Sequence, residues 1–479
     1  MGVFGLFSTL REKYSSEFVH RSGSIGIQHL DVAFIDGNAM LYPIAEEVKD
    51  PIHIATMFVD TVVEYLNEFG CTLYICMDGA PHMAKVKQQR SRRFNYSPII
   101  CREHVQPDYL SSGLTEIKPS LPFSPAMFTP GTEMMNQVNI YIKKEINNRN
   151  LNNIVLYSSY LEPYEGEHKI FQILRNIESD NITYAIVGKD ADLLLLSMGQ
   201  AELALTRGVT QIPYIVRHND KAKKDGYKAS DPLYVINMDT LRAKIMGNIP
   251  FAKSIWDFII ALFICGNDFL PRVPEFIHLR ESLSILMEKM IPIYDISKKD
   301  TGYIDWQQFI LYMKSLLEYD YSEAHSLWLP DVNKITIPEF SNIYYKIYHP
   351  FQIDTDRISK AWTYTICWNM YYYHDGVEDA SIAWQYPLHF APSLYTISTM
   401  IVNMDNVGVV REKLNPLSVR QALVAVLPIW LHSLISVDLR AQIYNSDLSL
   451  CYPWKFNTLG PKQEPIIPIV DYKSILNIK

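Results

Sequence analysis

YAIVGKDADLLLL, residues 184–196, sets the architecture. An apolar β-type run ends on a glycine, passes through Asp190 and Asp192, and gives way at once to a leucine run. Three runs of the same type precede it: VAFI at 32–35, LYICM at 73–77 and NIVLY at 153–157. Between them lie segments of helical period, IATMFVDTVVEYLNEF at 54–69 and EMMNQVNIYIKKEI at 133–146. Buried strands alternating with helices predict an α/β fold, a mainly parallel twisted sheet flanked by helices. Residues 95–131 break the rhythm with Pro, Ser and Gly and read as a long loop. After residue 285 the character changes: Trp, Tyr and Ile abound, β-type runs are few, and stretches such as RQALVAVLPIWLHSLI (420–435) have helical period. Residues 1–285 therefore read as an α/β domain and 286–479 as a mainly helical region packed on it. The last stretch, PKQEPIIPIVDYKSILNIK, reads as an extended tail.

Composition narrows the class. Hydrophobic residues make up 48% of the 479 and charged residues 20%, an ordinary balance for a soluble globular chain. The net charge of −8 advertises no polyanion partner, so any nucleic-acid site must be local. Cys71, Cys76, Cys101, Cys265, Cys367 and Cys451 have no CxxC spacing and mostly sit in apolar runs, as reduced thiols of an intracellular protein do. MGVFGLFSTL lacks a basic n-region and a cleavage site, and Leu6 stands where myristoylation wants Ser or Thr. FIIALFIC (258–265) is too short to span a bilayer, which takes about 20 apolar residues. No membrane association is expected. No clear basic import signal appears beyond the cluster discussed below, so the cytoplasm is favoured over the nucleus.

Ligands of open parallel sheets bind beyond the carboxyl ends of the strands. Here those ends are acidic. Asp36 follows VAFI, Asp78 follows LYICM, and Asp190 and Asp192 follow YAIVGK; Glu165 and Glu167 come a short loop after NIVLYSS, and Asp268 ends the apolar segment IWDFIIALFI. Residues two apart in an extended segment point the same way, so each close pair presents two carboxylates to one place. Any single Asp at such a position also serves as a helix cap or strand end, Asp268 most of all. The whole set together is another matter: converging carboxylates repel unless cations intervene. Hard oxygen ligands favour magnesium or manganese over zinc. Two such ions about 4 Å apart can activate a water and stabilise the leaving oxygen of a phosphodiester.

KVKQQRSRRF (85–94), seven residues past Asp78, carries Lys85, Lys87, Arg90, Arg92 and Arg93 and no acid. On a helix, Lys85, Gln89, Arg92 and Arg93 share one face, while Lys87 and Arg90 point elsewhere. An ammonium, an amide and two guanidinium forks suit a terminal phosphate dianion. The competing reading is a solvated basic face. Proximity to Asp78 and the lack of acidic partners at i±4 favour the phosphate, and with it recognition of a nucleic-acid 5′ end.

MGVFGLF, FIDGNAMLY, MDGAPHMAKVKQQRSRRF, FTPGTEMM, YEGEHK, VGKDADLLLL and CGNDFLP occur in this order, and together they resemble the Xrn family of 5′→3′ exoribonucleases. A weaker match, WNMYYYHDG followed by WQYPLHFAP (384–392), carries the resemblance to about residue 400. The resemblance implies a core like that of PIN and flap nucleases. It implies metal ligation by Asp36, Asp78, Glu165, Glu167, Asp190, Asp192 and Asp268, and a 5′-monophosphate pocket of Lys85, Gln89, Arg92 and Arg93. It further implies magnesium-dependent, processive release of mononucleotides from single-stranded RNA, with capped or triphosphorylated ends excluded.

Two departures stand out. Tyr42 replaces the family's base-stacking His, and the paired tryptophans are reduced to Ile382 and Trp384, leaving Trp384 as the candidate for a second stacking wall. The chain is also far shorter than cytoplasmic members and resembles a catalytic core alone. A flap-type DNA nuclease is the first alternative, opposed by QQRSRRF, GNDFLP and the lack of a helix-hairpin-helix signature. An inactive RNA-binding scaffold is the second, opposed by the complete acidic set.

Overall fold

The computed structural model describes residues 2–22, 24–95, 124–177, 181–218, 232–330, 332, 335–349, 354–376, 380–400, 413–452, 457–461 and 464–478. Most of the long loop expected at 95–131 lies outside them, as does Cys101; its described end forms a 3-10 turn at Pro125–Phe128.

A seven-stranded sheet forms the framework, in the order β1-β7-β6-β5-β2-β3-β4. Its strands are β1 (Phe18–Arg21), β2 (Val32–Asp36), β3 (Thr72–Cys76), β4 (Ile154–Ser158), β5 (Asn181–Val187), β6 (Thr210–His218) and β7 (Leu233–Asn237). The run from β6 through β5, β2 and β3 to β4 is parallel, while β7 and β1 add an antiparallel edge. Helices α1 (Leu6–Lys13), α2 (Gly37–Glu47), α3 (Pro51–Phe69), α4 (Met83–Asn95), α5 (Glu133–Asn148), α6 (Gly166–Arg175), α7 (Asp192–Thr206), α8 (Met238–Gly247) and α9 (Ile255–Ile264) accompany it.

Every residue of β2 is buried, as a central parallel strand covered on both faces requires. Its side chains alternate between two cores. Ala33 and Ile35 join Phe58, Val62, Val138 and Ile142 beneath α3 and α5, whereas Phe34 joins Ile170, Leu174 and Leu194 beneath α6 and α7. Asp50 caps α3 by accepting from the His53 N–H at 2.9 Å, with Pro51 at the first helical position, where its missing N–H is no loss.

Beyond residue 278 the chain is mainly helical: α10 (Leu279–Glu288), α11 (Trp306–Ser315), α12 (Ser322–Trp328), α13 (Ile337–Tyr348), α14 (Thr355–His374), α15 (Leu394–Thr399), α16 (Val419–Val426), α17 (Val437–Tyr444) and α18 (Tyr472–Leu476). The long α14 is buried almost throughout from Trp362 onward, and its side chains share one continuous core with α6, α7 and α9. The sequence reading needs two corrections here. The helical run at 420–435 is broken: Leu427 is extended ahead of Pro428, which disfavours the α region before it, and a 3-10 turn follows at Ile429–Leu434. The tail is not extended throughout: its β9 (Glu464–Ile466) pairs antiparallel with β8 (Asn457–Leu459) just ahead of it, and α18, capped by Asp471, follows.

Candidate active site

The carboxylates stand at the carboxyl end of the parallel strands, at the point where strand order reverses, with β3 and β4 on one side of β2 and β5 and β6 on the other. Asp36 is the last residue of β2 and also the N-cap of α2, its Oδ1 accepting from the Ala39 N–H at 3.5 Å. Asp78 lies two residues past β3. Glu165 is the N-cap residue of α6 and Glu167 sits in its first turn; Asp190 lies in the β5–α7 connection, and Asp192 opens α7. Three helix N-termini therefore converge on the acids, and their dipoles favour negative charge.

Short backbone links draw the loops together. Gly79 N–H donates to Tyr164 O and Tyr164 N–H to Ala80 O, both at 2.8 Å, with Tyr164 held at φ 79°. The Asp78 N–H donates to Asn38 Oδ1 at 3.0 Å, and Asp78 Oδ1 accepts from the Gly166 N–H at 2.8 Å. A Cβ on Gly166 would stand 2.6 Å from Cys76 O and 3.2 Å from Asp36 Oδ1, so only glycine lets α6 start this close to the strand ends. Lys169, buried one turn into α6, donates to Met77 O at 2.7 Å and Ser159 O at 2.8 Å, tying the helix to the ends of β3 and β4. At the chain's start, Gly2 has φ +52°, and a Cβ there would lie 2.0 Å from Asp192 Oδ1.

Asp268 arrives on a turn after α9. Asn267 Oδ1 accepts from the Phe269 and Leu270 N–H groups at 3.0 and 2.9 Å, and Asn267 Nδ2 donates to Asn369 Oδ1 at 2.9 Å. Tyr373, one turn further along α14, donates its hydroxyl to Asp192 Oδ1 at 2.6 Å. The helical half of the chain thus forms one wall of the site. Asn38, Asn369, Tyr373 and Lys169 have no place in the sequence reading. Only the aromatic run WNMYYYHDG hinted that α14 matters, and nothing in it singles out Tyr373.

Burial dominates the electrostatics. It pushes Asp36 and Glu167 well above the usual carboxylate range, with neighbouring acids adding to the effect. It raises Asp78 too, against the Gly166 N–H, and lifts Glu165 to about 7 and Asp192 to about 6. Burial would also raise Asp268, but Lys85, the Gly2 N–H and other nearby positive charge together hold this carboxyl below its ordinary value. Lys85 Nζ lies 2.8 Å from Glu165 Oε1 and 2.7 Å from Asp268 Oδ2, all three side chains being buried. Glu165 Oε2, Glu167 Oε1 and Asp192 Oδ2 are buried without hydrogen-bond partners among the described residues. Glu165, Glu167 and His168 can place ligand atoms within 4.8 Å of one another. Buried, unpartnered, hard oxygen donors in such a group fit a divalent cation. His82 and His168 lie beneath, against Tyr372 at ring distances of 4.7 and 3.7 Å, and burial keeps both neutral.

The basic run folds as α4. Its residues divide: Lys85 reaches the carboxylates, whereas Gln89, Arg92 and Arg93 lie one to two turns on, with Arg92 exposed. Arg93 Nη2 donates to Thr129 Oγ1 at 2.9 Å and Nη1 to Gln89 O at 3.1 Å. Burial lowers the Arg93 guanidinium to about 10, which leaves it charged at neutral pH. Tyr42, on α2, faces both Asp78 and Arg93 electrostatically and meets Phe128 edge-on at 6.3 Å. Trp384 donates from its indole N–H to Thr365 Oγ1 at 3.2 Å and meets Tyr364 edge-on.

Residues 1–206 match the family model described as the XRN 5′-3′ exonuclease N-terminus, and residues 340–436 match the Xrn1 helical domain. The chain belongs to the XRN family. It is 22% identical to human 5′-3′ exoribonuclease 1 over 99% of this chain and 34% of that protein. To 5′-3′ exoribonuclease 1 of Saccharomyces cerevisiae it is 28% identical, over 59% of this chain and 20% of that protein. It thus spans about a third or less of the length of these XRN relatives. Among solved structures it is remotely similar to the catalytic core of Rad2 in complex with a DNA substrate, with TM-score 0.36, 12% identity and coverage of 72% of this chain and 84% of that one. For flap endonuclease-1 from Methanococcus jannaschii the TM-score is 0.33 at 15% identity, covering 76% and 98%. No described helix is long and apolar enough to cross a membrane.

Proposed function

We propose that this XRN chain is a processive 5′→3′ exoribonuclease that removes mononucleotides from single-stranded RNA carrying a 5′-monophosphate. The observation that carries this reading is the layout of α4. Lys85 touches Glu165 and Asp268, and Gln89 and Arg93 follow on the same face. At about 1.5 Å of rise per residue, Lys85 and Gln89 are about 6 Å apart along the axis and Lys85 and Arg93 about 12 Å. A phosphate held by the distal groups would leave the next phosphodiester beside the acids.

In this mechanism Gln89, Arg92 and Arg93 bind the terminal phosphate, Arg93 being oriented by Thr129 and by the Gln89 carbonyl. Tyr42 stacks on the first base, an interaction worth about 1–3 kcal/mol that reads no base identity. Asp36, Asp78, Glu165, Glu167, Asp190, Asp192 and Asp268 would hold magnesium, or manganese in its place, which when bound activates water and stabilises the leaving oxygen. Lys85 restrains Glu165 and Asp268, Tyr373 fixes one oxygen of Asp192, and the Gly166 N–H fixes one of Asp78. The release of one nucleotide brings the next phosphate to the same grip.

The test is a panel of matched RNAs ending in 5′-monophosphate, 5′-hydroxyl or 5′-triphosphate, plus single-stranded DNA, each with magnesium and with chelator. The proposal expects mononucleotides from the monophosphate RNA in magnesium alone. Equal rates on all ends would refute the phosphate reading, and cleavage in chelator would refute the metal reading.

A further inference from the structure

Arg90 is only 1% exposed, and among the described residues no carboxylate pairs with it. Its Nη1 donates to Ala425 O at 2.9 Å and its Nη2 to Cys451 O, while the guanidinium lies 5.4 Å from the Phe94 ring and 5.1 Å from the Tyr452 ring. Both acceptors are carbonyls at helix ends: Ala425 is the penultimate residue of α16, and Cys451 closes the 3-10 turn Asp447–Cys451. The negative ends of two helices thus replace an acid. A charge buried in this way tolerates little displacement, because losing its partners costs several kcal/mol.

Lys87 makes the same kind of contact one turn earlier. Its Nζ donates to Tyr386 O at 3.1 Å and to Leu388 O, and lies 5.0 Å from the Tyr386 ring. The Met83 N–H donates to Ile382 O at 2.9 Å, and Phe94 meets Trp430 edge-on at 5.0 Å. At about 100° per residue, Lys87, Arg90 and Phe94 lie on the side of α4 opposite Lys85, Gln89, Arg92 and Arg93. Lys87, Arg90 and Phe94 are held on that rear side by residues from 382–452, and β9 packs against the same helix.

We infer that Lys87 and Arg90 are positioning residues through which the helical half of the chain sets the discrimination among RNA 5′ ends. They touch no substrate; they fix the rotation of α4 about its axis. At the roughly 6 Å radius of a helix with its side chains, a 20° turn moves a distal group by about 2 Å, and displacements of about 1 Å already cost reaction rates up to about 100-fold. The inference rests on the proposed phosphate grip of Gln89, Arg92 and Arg93.

The experiment measures kcat/KM on matched 5′-monophosphate and 5′-hydroxyl RNAs for wild type, Lys87→Met, Arg90→Met and Arg90→Lys, with thermal unfolding of each. The ratio of the two rates should fall at least tenfold in both methionine variants, mainly through the monophosphate substrate, and Arg90→Lys should recover part of it. A merely structural role would lower both rates together and leave the ratio unchanged, which overturns the inference. Should Arg90→Met fail to fold, Lys87→Met and Arg90→Lys decide alone, because a ratio unchanged in both has the same consequence. A wild type without preference refutes the phosphate reading itself, and this inference with it; a wild-type preference kept by the variants refutes only the inference.

Discussion

Lys85 and Asp268, 183 residues apart in sequence, meet at 2.7 Å with both side chains buried. The same ammonium reaches Glu165 at 2.8 Å, so one cation joins α4, the start of α6 and the turn after α9. Removing one partner of a buried ion pair leaves an uncompensated charge and costs about 3–5 kcal/mol. Lys85→Met should therefore lower the free energy of unfolding by about that amount, measured by denaturant titration in chelator. A loss under about 1 kcal/mol would mean that the triad is not held together by Lys85.

Tyr373 donates its hydroxyl to Asp192 Oδ1 at 2.6 Å. Partners that orient a ligating side chain typically matter about 10–100-fold in activity or metal affinity. Tyr373→Phe should lower kcat, or raise the magnesium concentration giving half-maximal rate, by a factor of that size, while circular dichroism remains that of wild type. Unchanged magnesium dependence would remove Tyr373 from the site.

Gly166→Ala tests the close approach of α6 to the strand ends. The added methyl would sit 2.6 Å from Cys76 O, and relieving that clash moves the helix that carries Glu165 and Glu167. Overpacking of this kind costs about 1–3 kcal/mol, and a shift of about 1 Å in the acids should cost about 100-fold in rate. Full activity in the alanine variant would contradict this placement.

Glu275 offers a test of pH dependence away from the site. Its Oε2 accepts from the Leu394 N–H at 3.0 Å, its Oε1 has no partner among the described residues, and burial lifts the carboxyl from 4.5 to about 7. The folded protein thus holds a proton that the unfolded chain gives up at lower pH. The stability from this group is fully present below about pH 4.5 and falls as pH rises through about 7, by about 3 kcal/mol in all. Glu275→Gln should therefore gain on wild type in melting temperature between about pH 5 and about pH 8. Parallel curves for the two proteins would show that Glu275 is not held neutral.

The legible parts of this molecule are those written locally. β2, β3 and β5 are apolar runs because parallel strands are covered on both faces, and their acids follow closely in sequence; β4 is the edge strand, with Val155 and Leu156 exposed, and its acids come a short loop later. β6 escaped because Pro213 argues against an interior strand, yet β6 lies between β5 and β7 with Pro213 paired to Tyr184. The division of labour along α4 was half legible. A helical wheel separates Lys87 and Arg90 from the phosphate face, but their acceptors are backbone carbonyls, and a carbonyl carries no mark in the sequence. Tyr373 was hidden for a related reason: one hydroxyl among adjacent tyrosines is distinguished only by where α14 is placed against α7.

The most direct test of the account follows the first product from RNA labelled on its 5′-monophosphate. With magnesium, wild type should release the label as a mononucleotide from the earliest time point, and Asp78→Asn, which alters a carboxylate bonded to the Gly166 N–H, should release none. Label appearing in oligonucleotides, or persistent release by Asp78→Asn, would contradict the account.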